Sequence, residues 1–99
     1  MIRRRKRRII WEEHAKRPAL DAAEIYPRLY DVIRNFEWLL ERHPDNDFAE
    51  QIDETFWIIK SEAFPLYGPG VPRATLIYYF DDQAVTFWDL RIEPPLPYV

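Results

Sequence analysis

RATLIYYFDDQAVTFWDLRIE, residues 73–93, is the stretch on which the fold turns. β-Branched and aromatic residues fill two runs on either side of Asp81, Asp82 and Gln83, and two apolar runs around one polar cluster are the signature of a β-hairpin. A tight turn centred on Asp82 and Gln83 pairs Phe80 with Val85, Tyr78 with Phe87, Leu76 with Asp89 and Ala74 with Arg91, all on one face. Thr75, Ile77, Tyr79, Thr86, Trp88, Leu90 and Ile92 then share the other face. In that register one face is apolar to its ends and the other finishes in an aspartate and an arginine, so a site is expected at the polar end.

Working outward, the 99 residues amount to one domain, 1–99, of a size that buries roughly two thirds of its unfolded surface. Four Trp, six Tyr and six Phe are more aromatic surface than so small a core needs, at about 150 to 250 Å² per side chain, which leaves some for a partner. The absence of cysteine removes disulfides, thiolate metal sites and cysteine nucleophiles. No run approaches the roughly 20 apolar residues of a membrane span, and the basic start lacks the apolar stretch of a secretory leader, so a cytoplasmic location and no membrane contact are expected.

The net charge of −3 conceals a segregation: six of the fourteen basic residues are Arg3, Arg4, Arg5, Lys6, Arg7 and Arg8. Residues 9–99 hold eight basic and all seventeen acidic groups, a net of −9. A basic arm (1–8) thus leads an acidic body. These six residues are the candidate nucleic-acid contacts, since clustered Lys and Arg release counterions from phosphate. The plainer reading is a solvated tail, and the acidic body argues against broad nucleic-acid binding by the rest of the chain.

Ile9, Ile10 and Trp11 read as a strand of the same sheet, which Pro18 keeps from continuing as a helix. Residues 20–26 are helix-compatible but short, and Pro27 opens a new helix in which Leu29, Ile33, Phe36 and Leu40 form an apolar stripe. Asn46 or Asp47 then caps a second helix, to residue 63, striped by Phe48, Ile52, Phe56 or Thr55, Ile59 and Ala63. Residues 65–72, PLYGPGVP, form the main loop, and residues 93–99, EPPLPYV, an extended Pro-rich tail. The expected fold is α+β: a small antiparallel sheet of the N-terminal strand and the C-terminal hairpin, with two antiparallel helices packed on one face.

The start RRIIWEEHA, the helical pair over 27–64 and the segment RATLIYYFDDQAVTFWDLRI together resemble the RelE/ParE superfamily of toxins from bacterial type II toxin-antitoxin modules. The likeness spans most of the chain and rests on patterns of apolar residues around a few polar ones. It implies a toxin-like component neutralised by a protein antitoxin and acting either by ribosome-dependent mRNA cleavage, as an endoribonuclease, or on DNA gyrase. RNA cleavage in that family works by surrounding a phosphodiester with cations that align the ribose hydroxyl and stabilise developing charge. Arg73, Arg91 and Tyr78 are the matching catalytic candidates, with Tyr79 and Tyr98 as further aromatic partners and Lys60 at the rim. The cations are fewer than that chemistry ordinarily uses.

Other constellations read as structural. Asp81 and Asp82 suit a turn better than an acid–base pair, because an aspartate side chain satisfies local N–H groups. His14 and His43 are far apart, and Glu12, Glu13 and His14 alone do not make metal-ligand spacing, so no metal or cofactor is expected. Ser61, the one serine, has no nucleophile motif around it. Two alternatives to the toxin reading remain: a non-enzymatic interaction or assembly domain, including a homodimer, that uses the aromatic hairpin, and a nucleic-acid module that uses the basic arm.

Overall fold

The computed structural model describes residues 6–63 and 70–94. The fold is α+β, with two helices and one five-stranded mixed sheet among the described residues. In chain order the elements are β1 (Arg8–Trp11), α1 (Glu13–Ile25), α2 (Leu29–Arg42), β2 (Ala49–Gln51), β3 (Trp57–Lys60), a 3₁₀ turn (Ser61–Ala63), β4 (Arg73–Phe80) and β5 (Ala84–Glu93). Strands β2 to β5 form an antiparallel meander, and β1 closes the order β1-β5-β4-β3-β2 by pairing parallel to β5. The sheet therefore has two more strands than the sequence suggests and is not purely antiparallel.

Two helices pack on one face, but they are not the expected pair. Residues 48–63 form β2, β3 and the 3₁₀ turn instead of a helix. The Asp53 carboxylate accepts from the Thr55 and Phe56 backbone N–H groups at 2.8 and 2.7 Å, which turns the chain between β2 and β3. Asn46 does the same for Phe48 at 2.8 Å, so the residue expected to cap a helix caps a turn into a strand. The missing helix is α1, which runs through Pro18. An interior proline costs about 3 kcal/mol. It is offset by Ala15, Ala19 and Ala23, a buried stripe at four-residue spacing that lets α1 lie close against β5. α2 adds Leu29, Val32, Phe36 and Leu40 to the same core.

The hairpin register is as expected from Phe80–Val85 to Tyr78–Phe87, and then shifts by one residue. Trp88 is the extra residue of a β-bulge, after which Ile77 pairs with Asp89, Leu76 with Leu90, Thr75 with Arg91 and Ala74 with Ile92. The expected pairs Leu76–Asp89 and Ala74–Arg91 would have placed both charges on the face the helices cover, at the cost of burying them. The bulge instead turns Leu90 and Ile92 inward beside Ala74, Leu76, Tyr78, Val85 and Phe87. Asp89, Arg91 and Glu93 consequently share the open face with Arg73, Thr75, Ile77 and Tyr79.

The other end of β4 is set by the return from β3. Gly70 adopts a positive φ of 81° at the turn into buried Val71 and Pro72. Ser61, 2% exposed, accepts a hydrogen bond from the Ala74 N–H at 2.9 Å. The single serine is thus a buried structural acceptor.

Candidate functional site: the open face of the sheet

All buried residues of α1 and α2 belong to one core, on the side of Leu76, Tyr78 and Phe87. Among the described residues, no helix covers the opposite face. That face has an aromatic part and a charged part. Phe56 contacts Tyr79 and Trp88 with ring centroids 5.7 Å apart in each case, and Tyr79 lies 6.2 Å from Trp88. His14, at the start of α1, packs nearly perpendicular to Trp88 with ring centroids 4.7 Å apart. Trp88, 39% exposed, stands at the bulge on this same face, where strand alternation from Thr86 already places it. Ile10 of β1 borders the cluster through Thr86, which pairs with both Ile10 and Tyr79.

The charged part centres on a row four residues along β4 from Tyr79. Lys60, Thr75 and Arg91 stand in one cross-strand row over β3, β4 and β5. At about 4.8 Å per strand, the Lys60 and Arg91 backbones are about 10 Å apart. Arg73 lies next along β4, where its Nη2 pairs with Glu93 Oε2 at 3.1 Å and its Nε donates to the Pro94 carbonyl at 3.3 Å. Lys60 shares a hollow of about 300 Å³ with Glu50 and Glu62. Asp89 is two residues from Arg91 on the same strand and face. Arg91 is exposed, and its side chain makes no hydrogen bond or ion pair among the described residues. The face thus offers one available guanidinium within a patch of mixed sign.

Of the three residues expected to act together, Arg73 and Arg91 share the open face, and Tyr78 does not join them. Tyr78 is fully buried on the core face, and its hydroxyl donates to the Pro44 carbonyl. Burial, and secondarily the charge of Asp45, pushes its phenol well above the usual value of 10. It is a core residue with a satisfied hydroxyl, and Tyr79 is the tyrosine that faces outward. The pattern contains this distinction, because Tyr78 falls in step with Leu76 and Ala74 while Tyr79 falls in step with Thr75 and Arg73.

Arg3, Arg4, Arg5 and Tyr98 lie outside the described residues, as do most of the 65–72 loop and residues 95–99 of the Pro-rich tail, while Glu93, expected to open that tail, is the last residue of β5 paired with Arg73. Lys6 is exposed, and Arg8 opens β1 with its N–H bonded to the Gln83 carbonyl at 3.0 Å. Arg7 is the root of the arm: its N–H bonds the Glu41 carbonyl at 2.8 Å, its Nε donates to the Asp81 carbonyl at 2.7 Å, and its guanidinium lies 5.6 Å from the Phe80 ring centre. The Asp81 carboxylate accepts from the Gln83 and Ala84 N–H groups, which hold its pKa below the usual 3.8, and the charges of Arg7 and Arg8 add to the effect. This is turn chemistry. Among the described residues, no cluster of three or more His, Asp or Glu is placed to hold a metal ion, and no helix is long and apolar enough to cross a membrane.

Compared with known proteins, the chain matches no family model, no curated protein and no solved structure.

Proposed function

We propose that this chain is the effector half of a two-protein module of RelE/ParE type, that it binds a protein target through the open face of the sheet, and that a partner protein holds it in check in the bacterial cytoplasm. One observation carries the reading: Phe56, Tyr79 and Trp88 stand together on a face that no described helix covers, with Arg91 beyond them. Aromatic residues and arginine are the side chains that dominate interface energetics, and contiguous exposed patches of this kind usually mark binding surfaces. The order strand, two helices, then antiparallel strands supports the family likeness.

A protein target such as gyrase fits better than an mRNA phosphodiester. Cleavage needs several unpaired cations converging on one phosphate, whereas here Arg73 is paired with Glu93 and Lys60 is flanked by Glu50 and Glu62. Co-expression with the product of the neighbouring reading frame tests the partner half of the proposal. A stable complex that copurifies is expected; absence of any such complex, together with normal growth when the chain is induced alone, would contradict it.

A second reading, assembly with its own copy, is favoured by the edge position of β1, whose exposed Ile10 borders the aromatic cluster. Light scattering separates the two: a tight homodimer insensitive to substitution of Arg73 and Arg91 would favour assembly.

A further inference from the structure

A second surface lies on the other side of the molecule, between the two helices. Trp11, Leu20, Tyr30 and Ile33 line an apolar cavity of about 220 Å³ that opens between α1 and α2. Leu20 and Tyr30 remain 52% and 50% exposed, although each stands on an element that contributes to the core. The volume falls below the roughly 300 to 1,000 Å³ of a drug-sized ligand site, so it suits side chains presented by a partner. A groove between two packed helices is filled most economically by a third helix, whose apolar residues at i, i+3, i+4 and i+7 meet it along one stripe.

The rim gives the charge of that helix. Lys16 and Arg34 stand on the groove, one from each helix. The acidic residue beside them, Glu37, accepts a hydrogen bond from Trp11 Nε1 at 3.4 Å and so faces the floor. On a body of net charge −9, counted over residues 9–99, this apolar slot between two cations is a local reversal of sign. We infer that the α1–α2 groove is a docking site for an acidic amphipathic helix of a partner protein, with apolar side chains over Leu20 and Ile33 and carboxylates reaching Lys16 and Arg34. A second copy of this chain is the poorer occupant, because a two-fold pairing through the groove brings the cationic Lys16 and Arg34 rim of one copy onto the same rim of the other. The inference does not depend on the sheet-face proposal: the groove is on the helical side, and its occupant leaves the open face accessible.

The test is a selection on the full chain from a library of randomised amphipathic helical peptides of about 16 residues, long enough to form helix on binding. Enriched sequences are expected to be net acidic with one apolar stripe, and to lose at least about tenfold in affinity, or about 1.4 kcal/mol, against Leu20→Glu and against Arg34→Glu. Both substitutions are at exposed positions, and circular dichroism melts checked against the parent chain confirm folding. A lysine-flanked version of the best peptide should bind the Lys16→Glu, Arg34→Glu double variant better than the parent. Enrichment of basic peptides, retention of affinity by both single variants, or a parent homodimer that Leu20→Glu dissociates would each overturn the inference.

Discussion

At the scale of single residues, neighbours in sequence have opposite fates. Tyr78 and Tyr79 differ only in the parity of the strand, yet one is sealed in the core with its hydroxyl on the Pro44 carbonyl and the other joins the open aromatic cluster. Replacing Tyr78 by Phe leaves a buried carbonyl unsatisfied, and chemical denaturation should show a loss of about 1 to 3 kcal/mol. An unchanged midpoint would mean that the hydroxyl is not held there. Asp81 makes a claim about pH. Its folded-state pKa is depressed, so its contribution is fully present above the unfolded value and is lost as pH falls through the folded one. Asp81→Ala should therefore melt below the parent at pH 7, with the gap narrowing below about pH 4; a gap constant across that window would contradict the assignment.

At the scale of elements, the hairpin was legible and the second helix was not. Phe48, Ile52, Phe56, Ile59 and Ala63 fit a helical stripe, but short apolar segments satisfy helix and strand periods alike. The contrary signal was present in Trp57 and Ile58, which fall off the helical stripe, and in the Asp53 turn before them. As a strand, β3 sends Ile59 to the core and Ile58 to the open face, so each has a place. α1 was hidden by Pro18, whose local penalty outweighs the alanine stripe in a reading of propensity although not in the packed molecule. The bulge was also written in the pattern: inward residues step by two from Val85 to Phe87, by three to Leu90, and by two again to Ile92. Deleting Trp88 should give a regular ladder in which Leu76 still meets Leu90, with stability changed by about 1 kcal/mol, comparable to the aromatic contacts removed. Cross-strand nuclear Overhauser effects between Leu76 and Leu90 report the register, and their loss would show that the bulge itself holds the strands in place.

At the scale of the whole molecule, both helices on one side of one sheet leave two distinct surfaces, a sheet face with aromatic and charged parts and an apolar groove between the helices. A polar end was anticipated from the hairpin, but on the face of Tyr78 and Phe87, which is the one the helices cover. The composition of the open face was not, because the bulge exchanges the residues of the two faces from Asp89 onward, and the pairing of Arg73 with Glu93 follows from that register. The groove had no sequence signal, since Leu20 and Tyr30 come together only once α1 is recognised. The central claim is that the open face is the working surface. It is tested most directly by growth of bacteria after induction of the intact chain and of a Trp88→Glu, Arg91→Glu variant whose melting curve matches the parent. The account predicts arrest by the intact chain and normal growth with the variant; equal arrest by both would place the activity elsewhere and contradict it.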